Sequence, residues 1–388
     1  MIPRAATGYF QQLCKGFPVV ALTGPRQSGK TTLARAAWPG KPYVSLESPD
    51  AREFAQADPK RFLQQFSKAG GIIDEIQRVP ELLSWLQGWA DERKIMGDIV
   101  ITGSAQFDLL SGITQSLAGR VGRVELLPLS LSELAGKPEL EIATKSLDEL
   151  MWAGGYPALY DTARQLTPVQ WHSNYLATYV ERDARQLINV RDLAQFQRFI
   201  RLCAARSGQI LNAASLGADA GISAQTARAW LLALETSYLV KLIQPYFNNF
   251  GKRITKAPKL YFLDTGLLCY LLGIADAQSL SIHSARGAIF ETWVVSELLK
   301  ADFNTGHAAA LYYWRGPNEK EIDVVRESSQ GLHITEIKSG STISGDWLKP
   351  LLSFPAPTAK PELIYGGDES HDRQGVQIKS WRSLGGHS

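Results

Sequence analysis

Gly24-Pro25-Arg26-Gln27-Ser28-Gly29-Lys30-Thr31 sets two glycines, a lysine and a hydroxyl at the GxxxxGK[ST] spacing. Glycines let successive backbone N–H groups turn inward around phosphate oxygens. Lys30 brings a point charge to the β- and γ-phosphates, and Thr31 offers a hydroxyl to Mg²⁺. The nucleotide-binding set is therefore residues 24 to 31 with Thr32, at a helix N-terminus that adds about half a positive charge. An apolar run, Val19–Leu22, leads in and a helical pattern, Thr31–Ala37, leads out. A glycine turn without a ligand is the bland alternative, and eight matching positions in a strand–loop–helix context weigh against it.

Such a loop needs an acid at the end of another buried strand, and Gly71-Ile72-Ile73-Asp74-Glu75 supplies two. Asp74 is expected to hold Mg²⁺ through water or Thr31. Glu75 is expected to polarise the attacking water, which indicates hydrolysis rather than a kinase reaction. The alternative for Asp74 is a simple helix cap. Ile101-Thr102-Gly103-Ser104 ends a third run. Ser104 is the candidate γ-phosphate sensor and Thr102 its alternative, against a capped strand end. Arg120 and Arg123 are candidate arginine fingers, in cis or across a subunit interface, or else exposed arginines before a strand. No guanine-type N/TKxD signature occurs, so the expected base is adenine.

Two further constellations lie downstream. Leu211–Glu235 reads as helix, turn, helix, with Gly221 at the turn and Ser223 able to cap the second helix. Ala227, Trp230, Leu231 and Leu234 share one face and leave Arg228 outward. A strand at Tyr238–Ile243 and a basic loop follow. Residues 241–260 hold Lys241, Lys252, Arg253, Lys256 and Lys259 and no acid, and Asn248, Asn249 and Gly251 suit a tight turn. A basic wing beside a helix-turn-helix predicts contact with DNA phosphates through Arg228, Lys252, Arg253, Lys256 and Lys259, with low sequence specificity. The competing reading is a protein-binding platform or an ATPase lid.

Near the C-terminus, Glu321-Ile322-Asp323-Val324-Val325 and Glu336-Ile337-Lys338 alternate charged and apolar residues. A hairpin centred on Ser329 and Gln330 would pair Asp323 with Glu336 and Glu321 with Lys338, on one face. Ile322, Val324 and Ile337 would share the other. Facing carboxylates repel unless a cation lies between them, which suggests Mg²⁺ or Mn²⁺. The spacing resembles the PD-(D/E)xK nuclease motif. That resemblance implies a metal held by Asp323, Glu336 and a helical acid, here Glu291, with Lys338 assisting. A nuclease fold whose site is unused and a plain solvent-facing salt bridge are the competing readings.

Residues 1–135 alternate apolar runs with helical stretches. The expected strands are Val19–Thr23, Tyr43–Leu46, Gly71–Asp74, Ile99–Thr102 and Val124–Leu127, forming a mostly parallel sheet covered by helices. Helix dominates 136–207, with Tyr175–Leu187 and Leu193–Ala205 the best segments. Residues 208–275 read as winged helix and 276–388 as an α/β, restriction-endonuclease-like module. No internal repeat or low-complexity segment occurs, and the polar end at Trp381–Ser388 reads as mobile.

The first third resembles an AAA-type P-loop ATPase. Ser45-Leu46-Glu47-Ser48-Pro49-Asp50, Ile73-Asp74-Glu75-Ile76-Gln77 and Ile101-Thr102-Gly103-Ser104 resemble more narrowly one prokaryotic ATPase family, which carries a C-terminal domain of unknown function (family 4143). The likeness continues through Gly154-Gly155-Tyr156-Pro157, Tyr179-Val180-Glu181-Arg182-Asp183 and Tyr261–Leu267. It implies ATP binding with Mg²⁺. Ala105 departs from the pattern, where a second serine is expected.

Composition bounds these readings. The chain has 388 residues, 41 Lys plus Arg and 38 Asp plus Glu, so net charge names no partner and local clustering must. Cys14, Cys203 and Cys269 form neither a disulfide framework nor a zinc site, and no HExxH spacing occurs. No membrane-length apolar run or signal-peptide core is present, so a cytoplasmic location is expected. The expectation is an ATPase acting on duplex or branched DNA as a homo-oligomer, in a ring as AAA-type modules commonly are, with a metal-dependent nuclease module. The alternatives are a nucleotide-dependent regulatory switch whose nuclease-like fold is inactive and binds protein partners, and a DNA-binding protein that uses ATP only structurally.

Overall fold

Alternation within one short strand decides the first sheet. In β1 (Val19–Gly24), Val19 and Ala21 point to one face and Val20 and Leu22 to the other, and all are buried. Both faces are therefore apolar, the pattern of a parallel strand covered twice. β1 lies between β4 (Ile99–Ser104) and β5 (Val121–Glu125). β3 (Gly71–Asp74) and β2 (Tyr43–Ser45) extend the sheet beyond β4, and every pairing is parallel. One face packs Val19, Ala21, Ile73, Ile99 and Ile101 against helices α3 (Pro49–Ala57), α4 (Pro59–Gln64) and α5 (Leu82–Arg93). The other packs Val20, Leu22, Ile72, Val100 and Val124 against α1 (Thr7–Gly16) and α2 (Lys30–Ala37). Each fully buried aliphatic side chain contributes about 1.5–3 kcal/mol.

This computed structural model describes residues 1–104, 117–179, 192–247, 256–307, 310–316, 320–328 and 331–386. Their contacts divide the chain into two units. One is Met1–Leu129 with Thr236–Tyr238 and Lys300–Ala308, and the other is Ser130–Glu235, Leu239–Leu299 and Ala309–Ser388. No described helix is long and apolar enough to cross a membrane.

The second unit begins with α6 (Leu131–Ala135), α7 (Leu147–Ala153) and α8 (Pro168–Tyr179). Ser130 and Ser146 start α6 and α7 with complete capping boxes, which satisfy two orphan backbone donors each. Next come α9 (Leu193–Ala204), β6 (Gln209–Ile210), α10 (Ala213–Ala220), α11 (Ala224–Thr236), β7 (Val240–Pro245) and β8 (Lys259–Phe262). Asn212 caps α10, Gly221 ends it at φ 74°, and the Ser223 hydroxyl accepts from Thr226 N at 3.0 Å. Ala227, Trp230, Leu231 and Leu234 face inward as their spacing predicts, and Trp230 meets Phe196 and Phe199 edge-on. β8 pairs antiparallel with β6 on one side and β7 on the other.

After α12 (Thr265–Leu271), α13 (Ala277–Ser281) and α14 (Arg286–Thr305) come β9 (Leu311–Arg315), β10 (Glu321–Ser328) and β11 (Gly331–Lys338). A short helix α15 (Lys349–Leu352), then β12 (Lys360–Tyr365), β13 (His371–Arg373) and β14 (Val376–Ser380) complete the unit. β9 pairs parallel with β7 through Gln244 with Tyr312 and Pro245 with Tyr313. A single nine-stranded sheet, β13-β14-β12-β11-β10-β9-β7-β8-β6, thus spans the segments read above as winged helix and nuclease-like.

Two sequence expectations shift. The fifth strand of the first sheet is Val121–Glu125, not Val124–Leu127, because β5 starts alongside Val19 and carries Arg123 within it. The β10–β11 register is as expected, with Val324 opposite Thr335 and Ser328 opposite Gly331. The apolar face differs. A register shift between Ile322 and Val325 on the β9 side places Val325, not Val324, in one cluster with Ile322, and Ile334 joins them rather than Ile337.

Candidate active site

Pairing brings three strand ends together at one edge. Gly24 lies opposite Ser104 and Ile73 opposite Ile101, so the phosphate loop, Asp74 and Ser104 meet beyond the carboxyl ends of β1, β3 and β4. Gly24 has φ 145°, and a Cβ there would sit 2.2 Å from the Leu126 carbonyl oxygen. Gln27 and Gly29 also take positive φ, 61° and 94°, which turns the loop back on itself before α2. Lys30 is buried, and its Nζ donates to the carbonyls of Gly24 at 3.1 Å and Pro25 at 2.7 Å. Ser28 Oγ is buried with no hydrogen-bond partner. A curled loop, a buried ammonium and an unpaired hydroxyl fit a bound triphosphate.

The Thr31 hydroxyl donates to Asp74 Oδ1 at 2.8 Å, joining the phosphate loop to the acid of β3. Thr102 also donates to Oδ1, and Tyr43 donates to Oδ2 at 2.8 Å. Burial, then the bond and charge of Asp74, push the Tyr43 phenol up to about 12. Thr31 and Asp74 stand where Mg²⁺ would be held beside the phosphates, and the hydroxyl–carboxylate pair suits that ion. Mg²⁺ there would neutralise charge on the phosphate oxygens. A cavity of about 480 Å³ borders this edge, lined by Thr31, Thr32, Arg35, Trp38, Lys41 and Tyr43 among others.

Glu75 has φ 60° and ψ 46°, a left-handed conformation that costs an ordinary residue about 1–2 kcal/mol. Its N–H donates to Thr102 Oγ1 at 3.3 Å. Gln77 Nε2 donates both to Glu75 Oε2 and to Ser104 Oγ, the latter at 3.1 Å. Ser104 and Thr102 therefore have different settings. Ser104 sits level with the phosphate loop, whereas Thr102 is bound to Asp74. Sequence reasoning missed Gln77, Tyr43 and Arg4. Arg4 donates to the Ser28 and Leu127 carbonyls at 2.5 and 2.7 Å and braces the loop from the N-terminal segment. Gln77 was readable only as part of the Ile76-Gln77 pair, and neither Tyr43 nor Arg4 stands in a spaced motif.

Arg120 needs correction as a finger acting in cis. Arg120 precedes Val121, which pairs with Val19 at the opposite end of β1 from Gly24. Five residues of strand separate those ends by roughly 17 Å. Arg120 forks onto Asp91 and Arg123 pairs with Glu125. A cis role for Arg120 is ruled out by that distance.

Among the DNA candidates, Arg228 and Lys256 are exposed and line one cavity of about 540 Å³ with Asn212 and Ala213. Lys252, Arg253 and the turn residues Asn248, Asn249 and Gly251 lie outside the described residues, as do Ala105, Glu181, Arg182, Asp183, Ser329 and Gln330. Lys241 pairs with Glu235 at 3.5 Å. Lys259 is not a wing residue. It opens β8, is 3% exposed, and turns its ammonium inward to Glu321, to Glu291 Oε1 at 3.2 Å and to Asp323 Oδ1 at 3.8 Å. A basic stretch counted along the chain cannot distinguish an inward strand position from an outward one.

Around Lys259, the acids expected at a nuclease centre do approach one another. Tyr261 donates to Glu291 Oε1 at 2.6 Å, and Ile337 N donates to Asp323 Oδ2 at 2.8 Å. Lys338 pairs with Glu336 and lies 3.8 Å from Asp323 Oδ2. Burial, then the charge of Asp323, raise the carboxyls of both Glu291 and Glu336. Burial alone would lower Lys259 and Lys338, but the surrounding carboxylates outweigh it and raise both. The expected metal set of Glu291, Asp323 and Glu336 does not fit: among the described residues no three His, Cys, Asp or Glu side chains are gathered so as to hold a metal ion. Both oxygens of Asp323 face ammonium groups instead.

Three family profiles match along the chain: an AAA domain over residues 16–135, a domain of unknown function (DUF8612) over 144–278, and a domain of unknown function (DUF4143) over 286–384. Uncharacterized proteins of Mycobacterium bovis and Mycobacterium tuberculosis are each 34% identical over 356 residues, covering 90% of this chain and 77% of theirs. An uncharacterized protein of Haemophilus influenzae is 26% identical over 352 residues, 81% of each chain. Among solved structures, a Walker-type ATPase of Pyrococcus abyssi aligns with 70% of this chain and 96% of its own, at 15% identity and TM-score 0.45. Thermotoga maritima RuvB aligns with 61% and 85%, at 18% identity and TM-score 0.28.

Proposed function

Since the chain belongs to the AAA-domain P-loop ATPases that carry a C-terminal DUF4143 domain, we propose that it hydrolyses Mg²⁺-bound ATP and uses the nucleotide state to govern its hold on DNA. The observation that carries hydrolysis is the bond from Thr31 to Asp74 with Glu75 directly beyond. Lys30 and the loop N–H groups would bind the β- and γ-phosphates. Ser104 would read the γ-phosphate, and Glu75 would orient and deprotonate the attacking water. Gln77 would position Glu75 relative to Ser104. An arginine acting on the γ-phosphate would come from a neighbouring copy, which makes a homo-oligomer, ring-shaped in the simplest case, part of the proposal. Of this chain's two candidates, Arg123 stays nearer the loop.

The DNA proposal rests on element order and charge. The series α9, β6, α10, α11, β7, β8, with β8 between β6 and β7, supports the winged-helix reading, and Arg228 and Lys256 line one cavity. Such a pair suits duplex or branched phosphate backbone with low sequence preference, because it brings charge and no base-reading set. The C-terminal strands are read as restriction-endonuclease-like, serving to hold rather than to cut.

Steady-state ATP turnover without DNA, then with single-stranded, duplex, forked and four-way-junction DNA, tests the reading. Stimulation by one structure is expected, and Arg228→Glu with Lys256→Glu should abolish it. Turnover that ignores all four DNAs favours a nucleotide-dependent regulatory switch whose C-terminal fold binds protein partners. The ammonium-filled carboxylate cluster accords with that second reading as well.

A further inference from the structure

We infer that Lys259 is the resident cation of the C-terminal carboxylate cluster, occupying the place a divalent metal takes in a metal-dependent nuclease, so that this module neither loads a metal there nor cuts DNA. The nuclease-like reading enters only in setting the expectation of a metal. Everything else rests on the cluster itself.

Lys259 is held too firmly to be a visiting side chain. Its backbone pairs with Ile210 on one side and Ile243 on the other. Its side chain is 3% exposed, with Nζ 5.6 Å from the centre of the Tyr313 ring. From there the ammonium reaches three acids on two elements: Glu291 of α14, and Glu321 and Asp323 of β10. A divalent ion would need Asp323 as its shared ligand. Asp323 has Lys259 at 3.8 Å from Oδ1, Lys338 at 3.8 Å from Oδ2, and the Ile337 N–H on Oδ2. An incoming Mg²⁺ or Mn²⁺ would meet two ammonium groups within a few ångströms, with too little water to screen them.

The remaining charge has an account without metal. Among the described residues, Glu291, Glu321, Asp323 and Glu336 outnumber Lys259 and Lys338 by two. Glu336 Oε1 accepts from Lys338 while Oε2 is buried with no hydrogen-bond partner, and a proton held on Oε2 neutralises the carboxyl. Glu291 is the second carboxyl raised by burial and by Asp323. Two ammonium groups and two protons then balance the cluster.

Mn²⁺ binding to the nucleotide-free full chain, followed by electron paramagnetic resonance, tests this without ATP, DNA or activity. Its outcome is therefore separate from that of the DNA reading. Wild type and Asp323→Asn should bind equal amounts of Mn²⁺ up to about millimolar concentration. Lys259→Met should gain one ion per chain, lost again when Asp323→Asn is added. The inference is overturned if wild type binds an ion that Asp323→Asn removes. It is overturned equally if Lys259→Met, shown to be folded by circular dichroism, gains none. Should Lys259→Met not fold, wild type against Asp323→Asn still decides.

Discussion

Replacing Glu336 with Gln should remove about 1.4 kcal/mol per pH unit from the fall of the second unit's stability between about pH 5.5 and 7. Glu291 and Glu336 are raised from an ordinary 4.5 to about 7 and about 8, burial being the larger cause and Asp323 the next. A carboxyl raised on folding binds its proton more tightly when folded. Its stabilising contribution is complete below about pH 4.5 and is lost as pH rises through the folded value. Near pH 6 both carboxyls are protonated when folded and ionised when unfolded, so folding takes up two protons. Each proton makes stability fall by about 1.4 kcal/mol per pH unit, so the two carboxyls together contribute a fall of roughly 2.7 kcal/mol per unit, against which the buried His172, lowered by its burial, contributes a rise. Glu336→Gln keeps the shape and fixes neutrality, which removes about 1.4 kcal/mol per unit of that fall. At pH 8.5 the variant should exceed wild type by a few kcal/mol, because it no longer carries an ionised, buried and unpaired oxygen. Urea titrations at half-unit steps from pH 5.5 to 7, followed by tryptophan fluorescence, measure both slopes. The difference between proteins cancels the histidines they share. A variant with the wild-type slope would refute the charge balance drawn for the cluster.

The nucleotide edge makes its own predictions. Lys30→Ala should weaken ATP binding at least about 100-fold, read by titration with a fluorescent nucleotide. Glu75→Gln should keep ATP affinity while turnover falls about 10²–10⁴-fold, since only the water-activating group is lost. Gln77→Leu should lower kcat with little change in KM, because it cuts the tie between Glu75 and Ser104 and leaves Lys30 and Thr31 in place. Gly24→Ala should destabilise the first unit by roughly 3 kcal/mol or more in thermal unfolding, as its Cβ meets the Leu126 carbonyl.

What could be read ahead of the structure follows from how local each signal is. The phosphate loop is eight consecutive residues, and its partners Asp74 and Ser104 end apolar runs that can only be buried strands. The β10–β11 register was legible because alternation and a polar turn fix a hairpin by counting. The bulge beside Ile322 was not, since it arises on the β9 side and moves Val325 inward by a contact that β10 alone does not encode. Lys259 shows the same limit for charge. Its neighbours Lys252, Arg253 and Lys256 made it look like one more exposed base, while its acids come from residues 291, 321 and 323. Gln77 and Tyr43 were missed because each gains meaning only when two strands align.

The parallel contact of β7 with β9 has a consequence for how this chain can be divided or inherited. Two family profiles meet between residues 278 and 286, and the boundary looks like a place to clip. A fragment starting at residue 286 would bare the flank of β9 that β7 covers, leaving a row of unpaired backbone groups open to whatever strand drifts past. It would also lose Lys259 and leave Glu291, Glu321 and Asp323 facing one another. Recombination at that point would have to replace a strand and a cation together.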